Sequence, residues 1–322
     1  MTWYAGVDVG ASNVRALVGT PQGDIEGYER RPTPQGPSGI MITEAVLDTL
    51  RGACANAGID PAGLAAVGIA ALGPLDMAEG AVRNPANLPN SIEYIPLTGP
   101  VEQLINGQTY LHNDANAGAI GERFYADTNP DNMVYLTISS GIGAGVCVEG
   151  NVLRGWDGNA GEVGHVTVDD DGELRCGCGK YGHWEAYCSG ENIPKYAKYL
   201  HEGEPTALPL ESDSFSAADV FAADDDDPFA DRVLNRVAEY NAQGVATIVH
   251  AYAPFVIYVG GGVALNNPDR VLGDLRERLP DRVMTNVPDI ELTTFGDNVV
   301  VRGAFASAVT GGTGDTSRTA HH

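Results

Sequence analysis

His165, Cys176, Cys178 and His183 place four metal-ligating side chains in one short stretch. Two thiols one residue apart are poorly placed to pair with each other but well placed to grip one ion. With two histidines they make the closed tetrahedral donor set of a structural zinc, with no open position for water. Glu162 and Glu185 bracket that stretch. Two such carboxylates accept hydrogen bonds from neighbouring hydroxyls with good directionality, although either alone reads equally as a solvated surface acid. Asp8 is an acid inside the apolar run Trp3 to Val9, a costly place unless it holds a metal or a hydrogen-bond network.

Small-residue turns follow two of the apolar runs. Gly10, Ala11, Ser12 and Asn13 form the first; Ser140, Gly141, Ile142, Gly143, Ala144 and Gly145 form the second. Each exposes backbone N–H groups that bulky side chains would cover, which is what cradling a phosphate requires. Each also suits an ordinary hairpin. Asn113 and Asp114 close one strand and open a helix, so their side chains project at a strand end, where open α/β sheets place ligands. The same pair equally suits a helix cap.

Elements that would position these groups are legible along the chain. Trp3 to Val9 and Val14 to Val18 read as strands joined by the first turn. A helix with Ile42, Ala45, Val46, Leu50 and Ala53 at helical spacing ends before Gly58. Strands are expected over 65–71 and 109–112, a helix over 115–125, strands over 133–139 and 146–148, helices over 186–200 and 231–252, a buried strand over 255–259, and a small-residue helix over 302–309. A polar tail without structure is expected to follow it.

Composition narrows the function. The 322 residues carry 19 basic against 43 acidic side chains, a formal net charge of −24. That balance opposes polyanion binding, since few cations are available to displace counterions. It resembles the surfaces of salt-adapted proteins, whose self-repulsion concentrated cations screen. No apolar run reaches membrane-span length and no secretory segment opens the chain, so no membrane or nucleic-acid partner and a cytoplasmic location are expected. Five cysteines do not make a disulfide framework; Cys54, Cys147 and Cys188 read as buried thiols.

Five pieces in order resemble the ROK family of sugar kinases and sugar-sensing repressors: Asp8 to Arg15, Asn113 to Ala117, Ser139 to Gly145, Gly161 to His165, and Cys176 to Glu185. The resemblance implies an α/β, two-lobed actin-like ATPase (ribonuclease H-like) fold with an interlobe cleft and a zinc-binding loop. Its expected division is a small lobe of residues 1–114 completed by a C-terminal helix at about 302–312. A large lobe of 115–301 carries the zinc loop 161–185, and 313–322 form a disordered tail.

The resemblance also implies roles. Asp114 is the matching general base, taking a proton from a hexose primary hydroxyl as that oxygen attacks the γ-phosphorus of ATP, and Asn113 orients the sugar. Such chemistry relies on positioning and charge stabilisation. Glu162, His165 and Glu185 match the sugar-binding set, with His165 also a zinc ligand, and Asn87 is a further sugar contact. Gly10, Ala11, Ser12, Asn13, Ser140, Gly141 and Gly143 take the phosphates, Gly261 and Gly262 allow close approach of adenosine, and Asp8 holds Mg2+. Where the family has a third cysteine, this chain has His183. Glucose is the favoured substrate, with an N-acetylhexosamine or fructose as competitors, and a homodimer or homotetramer is expected. A sugar-responsive regulator is the reading from another class; the acidic charge and the absence of room before the Asp8 strand for a DNA-binding module oppose it.

Overall fold

A computed structural model describes residues 2–317 apart from Ala86, Asn90 and Asp225. In chain order the elements are β1 (Trp3–Val9), β2 (Asn13–Gly19), β3 (Ile25–Pro32), α1 (Gly39–Asn56), β4 (Leu64–Ala71), β5 (Leu75–Asp76), β6 (Ala81–Arg83), β7 (Tyr94–Pro96), α2 (Thr98–Ile105), β8 (Gln108–Asn113) and α3 (Asp114–Tyr125). They continue with β9 (Met133–Ile138), β10 (Ile142–Val148), β11 (Asn151–Val152), α4 (Glu185–Cys188), α5 (Ile193–Leu200), α6 (Ala217–Ala222), α7 (Pro228–Tyr252), β12 (Val256–Gly260), α8 (Gly262–Asn266), α9 (Pro268–Arg278), β13 (Asp289–Leu292) and α10 (Val299–Thr310). The chain divides into two units, one of residues 1–131, 145–160 and 298–322, the other of 132–144 and 161–297.

The first unit is built on a mixed sheet of order β3-β2-β1-β4-β8. β1 is antiparallel to β2 and parallel to β4, which is parallel to β8. Strand alternation sorts its faces. Ala5, Val7 and Val9 join Ile42, Val46 and Leu50 of α1 and Val101 and Ile105 of α2 in one core. On the other face Leu17 meets Ile120 and Phe124 of α3 and Val301 and Phe305 of α10.

Glycine makes that second layer possible. A Cβ on Gly6 would lie 2.2 Å from the Phe305 backbone nitrogen, and one on Gly68 would lie 1.8 Å from the Ala304 carbonyl oxygen. Where α10 meets α3, a Cβ on Gly303 would lie 1.7 Å from the Ala117 carbonyl oxygen. Backbone cannot yield there as a side chain would. Gly303→Ala should therefore lower unfolding free energy by about 3 kcal/mol. An unchanged urea midpoint would contradict this packing.

In the second unit β9, β12 and β13 pair in parallel in the order β9-β12-β13. The long helix α7 buries Phe229, Val233, Leu234, Val237, Val245, Ile248 and Val249, with Pro228 at its start and Asp227 accepting from the Phe229 and Ala230 amides, the expected chemistry of a helix N-terminus. The helix expected over 186–200 is interrupted. Asn192 Nδ2 donates to the Glu185 carbonyl and to Ser189 Oγ, and Pro194 stands in the first turn of α5. Local side-chain bonds and a residue lacking an N–H restart the helix there. The polar tail expected without structure is held through Gly314. Arg123 Nη1 donates to the Thr313 carbonyl and Asn129 Nδ2 to the Gly314 carbonyl, whereas 318–322 lie outside the described residues.

Candidate active site and metal cluster

Register brings the C-terminal ends of three parallel strands together in the first unit. Asp8 is level with Ala70 of β4, and Ala70 with His112 of β8. Asp8 is 5% exposed, and Arg15, its direct partner across the β1–β2 hairpin, donates from Nε and Nη2 to Asp8 Oδ2 at 2.9 and 2.5 Å. Burial pushes the Asp8 carboxyl upward against the opposing pull of Arg15, and the Asp114 charge adds to the rise. This arginine supplies the network that a buried acid requires.

The first turn is braced from the end of β3 and the segment after it. Gly10 N–H donates to the Asn13 carbonyl, Thr33 Oγ1 to the Gly10 carbonyl and Gln35 Nε2 to the Ala11 carbonyl. Asn13 Oδ1 accepts from Arg30 Nε. The turn's carbonyls are thus occupied from behind.

Asn113 ends β8 and Asp114 begins α3, as expected. Asn113 caps α3, its Oδ1 accepting from the Asn116 amide at 2.7 Å. Asp114, the first helical residue, accepts from the Ala115 amide through Oδ1 at 2.8 Å and remains exposed by area. The protein around it still desolvates the carboxyl and raises it above the ordinary carboxylate range, those backbone bonds opposing the rise. An open carboxylate with raised proton affinity has the chemistry of a general base. Asn87 is exposed in the loop between β6 and β7.

The second unit brings its predicted residues into two groups. In the first, His165 Nδ1 lies 3.6 Å from Cys176 Sγ and His183 Nδ1 3.3 Å from Cys178 Sγ, and all four ligand atoms fall within 4.8 Å of one another. Tetrahedral bonds of zinc length put sulfur and nitrogen ligands roughly 3.6 Å apart, so the donor set fits a closed site for such an ion. A knuckle presents the thiols. Cys176 N–H donates to the Lys180 carbonyl and Gly179 N–H to the Cys176 carbonyl. Trp184 anchors the knuckle, being fully buried with Nε1 donating to Asn241 Oδ1 of α7 at 2.8 Å.

His165 Nε2, the nitrogen turned from the thiol, lies 3.8 Å from Glu162 Oε2. Glu185 Oε1 is 3.6 Å from Cys176 Sγ, and its Oε2 accepts from the Ile142 amide at 2.9 Å. One carboxylate thereby ties the second glycine turn to the metal cluster, a contact that sequence spacing did not reveal. Burial pushes the Cys176 thiol up to about 12, so a thiolate there calls for a cation beside it.

The second group surrounds Gly261 and Gly262. Gly261 has φ +86°, and a Cβ on it would meet the Ile138 carbonyl at 2.5 Å; only glycine suits that place. Ser139 N–H donates to the Gly141 carbonyl and Gly190 N–H to the Ser139 carbonyl, shaping the adjoining turn. Beside Gly262 lies a cavity of ≈ 310 Å³ lined by Ala217, Ala218, Phe221 and Ala222 of α6 and by Val263 and Asn266 of α8. Small apolar walls around that volume suit a flat heterocycle. No motif marked the α6 residues.

The profile of the ROK family matches residues 4–310. The chain belongs to the ROK family, and its α/β fold of mixed sheets is that of the ROK kinases, within the actin-like ATPases. It is 36% identical to a glucokinase of Pyrobaculum calidifontis over 308 residues, covering 96% of this chain and 95% of that one. Among solved structures it is similar to a ROK hexokinase from Thermus thermophilus, with 30% identity, TM-score 0.82 and coverage of 95% and 98%. It is also similar to a ROK family glucokinase from Streptomyces griseus in complex with glucose and AMPPNP, with 30% identity, TM-score 0.75 and coverage of 95% and 99%. Among the described residues no helix is long and apolar enough to cross a membrane.

Proposed function

We propose that this protein is a sugar kinase that transfers the γ-phosphoryl group of ATP to the primary hydroxyl of a hexose, with glucose the preferred acceptor. The observation that carries the reading is Asp114, an open carboxylate of raised proton affinity at the end of β8. It occurs in a chain whose ROK relatives include glucokinases. Asp114 takes the hydroxyl proton as the oxygen attacks phosphorus. Asn113, whose Oδ1 is held by its own helix, offers its amide N–H groups to a sugar hydroxyl. Glu162, His165 and Glu185 accept and donate to the remaining hydroxyls, with Asn87 a further contact.

The turns Gly10–Asn13 and Ser140–Gly143 supply backbone N–H groups for phosphate oxygens, those of Gly10 and Ile142 being already engaged within the protein, and the cavity lined by α6 and α8 takes adenine. Mg2+ would be held through Asp8, where it would supply neutralisation of phosphate charge. Cys176, Cys178, His165 and His183 would hold zinc in a structural role, and a bound ion would fix the tautomer and aim of His165.

A coupled assay across glucose, mannose, fructose, N-acetylglucosamine and N-acetylmannosamine tests the reading. The highest kcat/KM is expected with glucose. Preference for an N-acetylated sugar would overturn the substrate, and turnover of none would overturn the kinase. Ala218→Trp, at an exposed position of α6 on the cavity wall, should raise KM for ATP about tenfold or more, equivalent to about 1.4 kcal/mol, with the sugar KM unchanged. An unchanged KM for ATP would place adenine elsewhere.

A further inference from the structure

We propose that the first unit holds a small inorganic anion of halide size in a cavity walled by His112, Asn116 and Arg154, at the first turn of α3. The cavity has ≈ 10 Å³ of room for a water-sized occupant and is completed by Asn113, Leu75 and Met77. His112 and Asn116 are each 2% exposed, yet His112 Nδ1 and Nε2 and Asn116 Oδ1 have no hydrogen-bond partner. Three orphaned polar atoms around one small space are costly unless something there satisfies them.

The sign of the occupant follows from the charges. Desolvation, aided by the Arg154 charge, holds the His112 ring down at about 3, so the imidazole is neutral and offers one N–H. Arg154 is exposed by area, yet the protein around it desolvates the guanidinium enough to lower its proton affinity. The arginine ion pairs among the described residues do not include it. In a chain with 43 acidic and 19 basic residues, a cation without a carboxylate is the rarer arrangement.

The partial positive charge of the twelve-residue helix α3 at its N-terminus has the same preference. A half-turn of the Asn116 amide presents Nδ2–H in place of Oδ1. Leu75 and Met77 make part of the wall apolar, which a weakly hydrated halide tolerates better than a carboxylate. Gly312 packs beside two of the wall residues: a Cβ there would lie 2.9 Å from Arg154 Nη2 and 3.6 Å from His112 Cε1. A water molecule would satisfy the orphaned atoms but carries no charge to pair with Arg154 and gives no anomalous signal at the bromine edge, which makes the two occupants distinguishable.

Crystals of the full chain grown in sodium bromide, with diffraction recorded at the bromine edge, test the site. An anomalous peak within hydrogen-bond reach of His112 and Arg154 is expected in the unsubstituted protein and not in Arg154→Gln. In solution, replacing sodium chloride by sodium gluconate at constant ionic strength should lower Tm by about 3 °C in the former and leave Arg154→Gln unmoved. Density for water without anomalous signal, or the same chloride response in Arg154→Gln, would overturn the proposal.

Discussion

Asp114→Asn lowers kcat by about 10²- to 10⁴-fold, the range a general base contributes, while KM for the sugar changes by less than about threefold. The amide keeps the size and the Oδ1 acceptor that meets the Ala115 amide, so the start of α3 is retained. What it loses is a site for the hydroxyl proton. The direction of the Asp114 shift adds a second signature. A carboxyl whose folded-state pKa lies above its unfolded value contributes stability below the ordinary carboxylate range and loses it as pH rises through the raised value. Above that raised value the charged carboxylate costs the folded state stability, so Asp114→Asn should be at least as stable as the parent while nearly inactive. For the parent, kcat should fall as pH drops through that raised pKa. Turnover within a few-fold of the parent would remove Asp114 from the chemistry, and a large fall in Tm would make its role structural.

Loss of a metal ligand should have the next largest effect. The protein purified without added zinc is expected to carry about one ion per chain, and Cys176→Ala should lower metal affinity at least about 100-fold, since each ligand carries a share of a large binding free energy. His183→Ala should do the same, whereas His183→Cys, which restores a third thiolate, should retain the ion. Because His165 Nδ1 faces the same cluster, metal loss frees that ring and should raise the sugar KM more than the KM for ATP. Metal content unaffected by His183→Ala would show that this side chain is outside the coordination sphere. A stripped protein with unchanged sugar affinity would separate the cluster from sugar binding.

The parts of the fold legible in sequence were those with strong period and clear punctuation. β1 ends just before its glycine turn, and α1 shows its buried stripe at helical spacing. β5, β6 and β7 are two or three residues long, too short for alternation to stand out. β13 is recognisable mainly through its parallel pairing with β12, and the charge-rich α9 is secured by pairs such as Arg270 with Asp274. Those are tertiary causes.

The site divides similarly. Counting outward from the first turn pairs Asp8 with Arg15, so that contact could have been found from hairpin register alone. Ligand type and spacing pointed to the four-residue cluster, which the structure gathers. Nothing local predicts that Glu185 grips the Ile142 amide or that α6 lines a cavity with α8. Both depend on where distant segments pack.

The destination of the γ-phosphorus distinguishes a sugar kinase from an ATPase. Incubating the protein with ATP, magnesium and glucose and following ³¹P resonances measures that directly. A new phosphomonoester coupled to the two protons on the glucose primary carbon is expected, together with ADP, and almost none with Asp114→Asn. ATP consumed to inorganic phosphate alone, or a sugar phosphate formed equally well without the Asp114 carboxylate, would contradict it.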